Sequence, residues 1–383
     1  MRKRAIVLGS TGSIGRSALD VLTHLRDEWE VVGLAAGSRW RELTQQANRF
    51  RPPTLAISNA EHAADLKSAL SYSASVHVGP DAMNRMLDSA DADCVICAVV
   101  GAQGLSSTLR AVELGRKVAL ANKEALVIAG AVLMPLAQRR GVQVIPVDSE
   151  HSAIFQALHA GRPSEVRSVY LTASGGPFRT WSEEAMDEVT PEDALRHPTW
   201  NMGPKVTIDS ATMMNKALEI VEGHWLFNLR AEQIKVVVHP ESIVHSLVEF
   251  CDGSLIAQLA RPDMRTPIQY ALTYPARREC SWPALDLFEI RQLSFHRPDP
   301  ERFPALRLGY EAAERGGTAG AVLNGANEAA VQLFRRGLIH YRDIARATQR
   351  ALQAHNHVAS PTLEDLVAAD RWARQEVTRC LVC

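Results

Sequence analysis

Two short stretches carry residue types able to hold a divalent cation beside an anion. VDSEHSA (147–153) places Asp148 and Glu150 two residues apart at the end of an apolar run, and SATMMNKALE (210–219) gathers Ser210, Asn215, Lys216 and Glu219. Carboxylate oxygens are hard donors that favour Mg²⁺ or Mn²⁺ over zinc. A hydroxyl, an amide and an ammonium suit a phosphorylated polyol. In an extended backbone residues two apart share a side, so Asp148 and Glu150 project together and Ser149 faces away unless the strand ends there. If SATMMNKALE is one helix, Asn215 and Lys216 share a face with Glu219, and Ser210 sits at a plausible N-cap where free N–H groups favour an anion. The plain alternative is a Lys216–Glu219 helix salt bridge beside solvated carboxylates.

A third element is the turn GSTGSIG (9–15), between an apolar run and a helical pattern. Gly9, Gly12 and Gly15 at such a junction allow a tight turn and close approach of a pyrophosphate to the helix N-terminus. The next apolar run ends AAGSRWR, with no acidic residue for a ribose 2′-hydroxyl. Ser38, Arg39 and Arg41 instead suit a 2′-phosphate, which predicts NADP, unless these arginines are solvated helix-start residues.

Elements must position these groups. Apolar runs at 4–9, 30–36, 53–57, 92–99, 117–121 and 142–147 alternate with helical patterns such as 17–25 and 123–138, which predicts a parallel sheet with helices on both faces. Asp148 and Glu150 then lie at the carboxyl end of the last strand, where open α/β sheets bind ligands. Beyond 150 the pattern changes to a helix, a strand at 166–173, and an irregular span rich in proline and tryptophan that suggests a lid. IKVVVHP, SIVHSLVEF and SLIAQLA read as antiparallel strands, with a hairpin signal in CDG (251–253). After a connector at 275–304 the remainder is helical.

The chain has 383 residues, enough for two or three domains, and its 42 basic and 43 acidic residues give no footprint for nucleic acid. No apolar run is long enough to span a bilayer, and MRKRAIVLG reads as a first strand rather than a leader, so a cytoplasmic protein is expected. Cys94 and Cys97 form a C-x-x-C inside an apolar run that predicts core packing; Cys380 and Cys383 form another at the C-terminus, read as frayed thiols.

With these residues assembled, the chain resembles the 1-deoxy-D-xylulose 5-phosphate reductoisomerase family over essentially its whole length. The motifs are GSTGSIG (9–15), ALANKEALV (119–127), PVDSEHSAIFQ (146–156), ASGGPF (173–178), HPTWNMGPK (197–205), DSATMMNKALE (209–219), HPESIVHSLVEF (239–250) and LNGANEAAV (323–331). The resemblance implies an α/β chain with a Rossmann-type NADPH-binding domain over 1–149 and an α+β catalytic domain over 150–285. That second domain carries a dimerisation sheet at 235–259 and a lid at about 197–205. A connector (286–303) and a C-terminal α-helical domain (304–383) follow. It implies a homodimer that uses NADPH and Mg²⁺ or Mn²⁺ to rearrange and reduce a phosphorylated ketose.

Asp148, Glu150 and Glu219 would be metal ligands. Ser149, Glu150, Ser174, His197, Trp200, Met202, Ser210, Asn215, Lys216 and Glu219 would meet substrate. Gly9, Ser10, Thr11, Gly12, Ser13, Ile14, Gly37, Ser38, Arg39, Asn122, Lys123, Glu124 and Gly203 would meet the cofactor, and Lys123, Glu150 and His197 would be catalytic. His197 is either a general acid–base or a lid residue that packs and orients. Two departures from the family pattern stand out: Ala217 replaces glycine in NKALE, and Pro204 stands where some members have a basic residue. Another NADP-dependent oxidoreductase acting on a different phosphorylated sugar, or an NADP-sensing protein without turnover, are the rival readings; metal dependence separates them.

Overall fold

In this computed structural model, which describes residues 1–200 and 202–382, the chain divides into two compact units. The first draws on Met1–Ala125, Pro135–Ser152 and Asp263–Pro283, and the second on Leu126–Met134, Ala153–Pro262 and the chain from Ala284 onward.

The first unit is built on strands β1 (Lys3–Leu8), β2 (Trp29–Ala36), β3 (Thr54–Ile57), β4 (Ser75–Val78), β5 (Cys94–Cys97), β6 (Lys117–Leu120) and β7 (Val144–Pro146). They form a parallel sheet in the order β4-β3-β2-β1-β5-β6-β7. Helices α1 (Ser13–His24), α2 (Trp40–Phe50), α3 (Ala63–Ala69), α4 (Ala82–Ser89) and α5 (Leu105–Glu113) connect them, followed by α6 (Lys123–Arg140) and α7 (Ser149–Ala157). Strands β3 and β5 are buried along their whole length, as continuous apolar runs in a doubly covered parallel sheet require. Cys94 and Cys97 lie in that core, and burial pushes their thiols up to about 11 and about 12, so both stay protonated packing groups. Cys380 is exposed on the last helix, and Cys383 lies outside the described residues. Strand β4 has no counterpart in the sequence reading, because SVHV is a half-exposed edge without an apolar run.

The second unit holds β8 (Val166–Ala173), β9 (Ile234–Val238), β10 (Val244–Phe250) and β11 (Leu255–Leu259), in the order β11-β10-β8-β9. Between β8 and β9 lie α8 (Glu183–Asp187), α9 (Pro191–Ala194), α10 (Pro204–Ala211) and α11 (Met214–Phe227). This helical crossover carries the chain back to its starting side, so β9 runs parallel to β8; β9, β10 and β11 alternate in direction as expected, but β8 stands between β9 and β10. Strands β10 and β11 form the expected hairpin, with Gly253 at φ 86° in its turn. Helix α12 (Arg265–Thr273) belongs to the first unit, where it packs on α1, β6 and β7. There Arg278 pairs with Glu28 at 2.8 Å. Helices α13 (Ala305–Arg315), α14 (Ala319–Arg335), α15 (Asp343–Ala354) and α16 (Leu363–Val382) complete the second unit.

The departure at Ala217 has a local answer. Helices α11 and α13 cross so closely that a Cβ on Gly309 would stand 2.5 Å from Ala217 Cα and 2.8 Å from its Cβ. The methyl group of Ala217 is accommodated because the facing residue has none. Gly309→Ala should therefore destabilise the chain by about 1–3 kcal/mol through overpacking against backbone. Urea titration checks this, and adding Ala217→Gly should restore part of the loss.

Candidate functional site

In the first unit, parallel pairing of β6 with β7 sets Leu120 beside Pro146. The two following segments therefore begin side by side at the carboxyl edge of the sheet. Lys123 opens α6 and Asp148 precedes α7, and their side chains form an ion pair with each only 10% exposed. The strand ends at Pro146, so the expected strand alternation of Asp148 and Glu150 does not hold. Ser149 and Glu150 form the first turn of α7 instead. Asp148 acts as its cap: its carbonyl accepts from the Ser152 N–H at 2.8 Å, and its carboxylate accepts from the Glu150 N–H at 3.3 Å. Ser149 Oγ donates to Glu150 Oε2 at 2.6 Å. Buried His151 places Nδ1 3.6 Å from Asp148 Oδ1, a neighbour legible as the residue one helical turn on. Burial alone would raise the Asp148 pKa. The Lys123 ammonium and His151 overcome this and hold it well below the carboxylate range.

The glycine turn is shaped for its backbone. Gly9 has φ 79°, and a Cβ there would lie 2.5 Å from the Ala98 carbonyl oxygen. A Cβ on Gly15 would lie 2.2 Å from the Gly9 oxygen, so α1 can close on β1 only without a side chain. Gly12 caps α1, whose first turn, with Ser13 and Ile14, carries no acidic residue and suits an anion. Ser10 and Thr11 are buried. The Ser10 hydroxyl donates to Gln46 at 2.7 Å, a partner on α2 that the sequence reading missed. Gly37, Ser38 and Arg39 are exposed just past β2. Asn122 Nδ2 donates to the carbonyls of Val99 and Gly101 at 2.6 and 3.0 Å and to Glu124 at 3.1 Å. Its amide thus fastens the loop after β5, a structural task alongside any cofactor contact.

In the second unit SATMMNKALE is two helices, not one. Met213 sits at φ 61° between α10 and α11, so Ser210 lies in the last turn of α10 and is not an N-cap. Asn215, Lys216 and Glu219 do share a face of α11. Asn215 Nδ2 donates to Glu219 Oε1 at 2.5 Å, and Lys216 Nζ to Glu219 Oε2, with the Lys216 and Glu219 side chains 4% and 1% exposed. Pro204 occupies the first turn of α10, where its missing N–H costs nothing, and Gly203 precedes it as the cap.

The HPTWNMG segment is organised by His197. Its Nδ1 accepts from the N–H groups of Thr199 and Trp200 at 3.1 and 2.9 Å, which assigns the proton to Nε2, 3.0 Å from Ser174 Oγ. Ser174 Oγ in turn accepts from the Gly176 N–H at 3.2 Å. The Trp200 ring is 6.3 Å from that of His245, a buried residue absent from the sequence reading, and Met202 is half-buried. Asn201 lies outside the described residues. Arg302 reaches back to the carbonyls of Phe178 and Arg179 at 3.1 and 3.2 Å and fixes the chain after SGG.

A parallel sheet with a glycine turn at the carboxyl end of its first strand defines a dinucleotide-binding α/β protein. Family models described as 1-deoxy-D-xylulose 5-phosphate reductoisomerase, its C-terminal domain and DXP reductoisomerase C-terminal domain match residues 5–130, 144–227 and 259–376. The chain is similar to the 1-deoxy-D-xylulose 5-phosphate reductoisomerase of Symbiobacterium thermophilum, 51% identical over 98% of this chain and 97% of that one. The corresponding protein of Pelotomaculum thermopropionicum is 48% identical over 97% of each. Among solved structures, the Zymomonas mobilis enzyme in complex with NADPH matches with a TM-score of 0.93 and 41% identity, covering 100% of this chain and 99% of that one. A DOX-P reductoisomerase in complex with NADPH, fosmidomycin and magnesium matches with a TM-score of 0.94 and 36% identity, covering 99% and 98%. The chain belongs to the 1-deoxy-D-xylulose 5-phosphate reductoisomerase family.

Burial pushes both His197 and His245 down to about 4 from the ordinary 6.5. The folded chain keeps them neutral while the unfolded chain takes up protons below 6.5, so their contribution to stability, present above 6.5, is lost as pH falls toward 4. Urea midpoints should fall over that interval, and His245→Gln should make the decline shallower.

Proposed function

We propose that this chain converts 1-deoxy-D-xylulose 5-phosphate to 2-C-methyl-D-erythritol 4-phosphate, by rearrangement followed by reduction with NADPH, in a reaction that needs Mg²⁺ or Mn²⁺. The observation that carries the reading is the pair of buried carboxylates beside lysines, Asp148 with Lys123 and Glu219 with Lys216. The donors fit the cation: Asp148, Glu150 and Glu219 offer only carboxylate oxygens, with no thiol among them. Bound there, a divalent ion supplies Lewis-acid polarisation of the substrate's ketone and hydroxyl oxygens.

The chain's residues do the rest. Lys123 presents an ammonium beside Asp148, able to donate to a substrate oxygen. Ser149 addresses the substrate's hydroxyls. Lys216, Asn215, Ser210 and Ser174 take the phosphate, supplying one positive charge and neutral donors for a dianion. His197, with both ring nitrogens engaged, acts by orienting Ser174 and pinning the lid segment that carries Trp200 and Met202. The turn at Gly9–Ile14 takes the pyrophosphate, Gly37, Ser38 and Arg39 the 2′-phosphate, and Asn122, Lys123, Glu124 and Gly203 the nicotinamide end. The functional division follows 1–149 for cofactor, 150–285 for substrate and metal, 286–303 as connector and 304–383 as helical support.

No helix among the described residues is long and apolar enough to cross a membrane, and we place the protein in the cytoplasm. We read it as a homodimer joined through the β8–β11 sheet. On the outer face of that sheet Glu249 accepts from Ser168 at 2.6 Å and Tyr170 at 3.0 Å, and lies 3.2 Å from Lys235; those bonds, Ser168 first, lower its pKa to about 2. Leu247 shares this face, directly opposite Tyr170, whereas Val248 is fully buried in the core. Leu247→Asp should therefore give monomers in sedimentation, while a charge at position 248 would only test folding. A Leu247→Asp protein that remains dimeric would move the interface elsewhere.

The enzymatic test is NADPH oxidation with 1-deoxyxylulose 5-phosphate, with and without Mg²⁺ or Mn²⁺, beside an NADH control. Turnover requiring both metal and NADPH is expected; turnover without metal would remove the metal site from the reading. Arg39→Ala should raise KM for NADPH by about tenfold with kcat little changed, the pattern of lost binding that is equal in ground and transition states.

A further inference from the structure

Both oxygens of Glu219 accept hydrogen bonds from side chains of its own helix, one of them from a buried ammonium. Asn215, one turn earlier, donates to Oε1 at 2.5 Å, and Lys216 donates to Oε2, in a setting where Lys216 and Glu219 are 4% and 1% exposed. The proposed assignments set a conflict on this face. Lys216 and Asn215 are assigned to the substrate's phosphate, and Glu219 to the cation. Each oxygen keeps a second lone pair, but the Lys216 ammonium neutralises the carboxylate and repels a cation brought beside it, so Glu219 is a poor metal ligand while that ammonium stays in place. Releasing a buried ammonium from its carboxylate without offering it another anion is costly. An incoming phosphate is such an anion, with more charge and more acceptor oxygens than a carboxylate.

We infer that Lys216, with Asn215, couples the two sites: it holds Glu219 in the ligand-free chain, and a phosphate group that draws it away frees Glu219 for the divalent cation. The inference rests on the ligand assignments proposed above. It makes phosphate and metal mutually reinforcing without contact between them, and linkage requires the effect to be equal in both directions. Lys216 is in this respect a positioning residue, acting on the cation through Glu219. Asp148 has no such arrangement, because its partner Lys123 opens a different helix and is not assigned to the phosphate.

The test measures Mn²⁺ binding to the full-length protein by electron paramagnetic resonance of the free ion, with and without inorganic phosphate, and without NADPH or substrate. In the unaltered chain phosphate should tighten Mn²⁺ binding about tenfold, equivalent to about 1.4 kcal/mol of coupling. Lys216→Met should bind Mn²⁺ more tightly than the unaltered chain in the absence of phosphate, and phosphate should then change its affinity less than twofold. Asn215→Ala retains the ammonium, keeps the protein testable should Lys216→Met fail to fold, and should show partial release in the same direction. Phosphate leaving Mn²⁺ affinity unchanged in the unaltered chain overturns the coupling. So does full coupling that persists in Lys216→Met, or in Asn215→Ala if Lys216→Met does not fold. Glu219→Gln separates this from the underlying reading. If it abolishes Mn²⁺ binding while phosphate has no effect in the unaltered chain, the ligand assignment stands and only the coupling falls. If it binds Mn²⁺ as the unaltered chain does, the assignment itself falls.

Discussion

Burying a carboxylate without a partner is among the most expensive things a fold can do, and several of the buried acids here sit beside lysines. Asp148 is paired with Lys123, Glu219 with Lys216, and Asp209 with Lys205 at 2.9 Å and Asn327 at 2.8 Å. Each pair is short in sequence or lies at adjacent strand ends, so its geometry is set by helix spacing or by strand register rather than by flexible loops. That local rigidity keeps acidic oxygens in place before any ligand arrives. Under the assignments we propose, two of these lysines, Lys123 and Lys216, also meet a substrate oxygen and a phosphate, so the groups that make the buried acids tolerable would do part of the chemistry.

The sheet order explains why the first unit's functional groups collect where they do. Strand β1 has β2 on one side and β5 on the other, so the glycine turn after β1 lies where the strand order changes direction, the return being made by the β4–β5 crossover. The resulting crevice at the strands' carboxyl ends is where open α/β sheets take ligands. Asn122 clamps the loop that borders it. The second unit uses a different device. A helical crossover returns the chain parallel to β8, and α10 and α11 inside that crossover carry Ser210, Asn215, Lys216 and Glu219, the residues we assign to phosphate and cation.

Much of this was legible in the sequence because parallel strands buried on both faces are continuous apolar runs, and β1, β2, β3, β5, β6 and β7 all announce themselves that way. Strand β4 does not, since an edge strand needs no such run. The break between α10 and α11 was hidden for another reason: it rests on Met213 in a left-handed conformation, where no glycine or asparagine marks the turn. The place of β9 beside β8 depends on where a crossover ends, which residue patterns do not encode. The residues Asp148, Glu150, Asn215, Lys216 and Glu219 stand out as candidates by type and spacing, but their local setting is a helix start and two helices rather than strand alternation and a single helix. His245, Gln46 and Arg302 went unseen because their roles are set by contacts with distant segments.

The first unit is not a continuous stretch of chain. Its sheet is covered in part by α12 and the residues around it, which come after the whole of the second unit's sheet in sequence. During synthesis the nucleotide-binding half therefore cannot finish folding when its last strand leaves the ribosome. It must wait, with β6 and β7 incompletely covered, until α12 has been made. Although domains generally fold in order from the N-terminus, here the half that begins first cannot be completed before the strands and helix α11 of the other half have been synthesised.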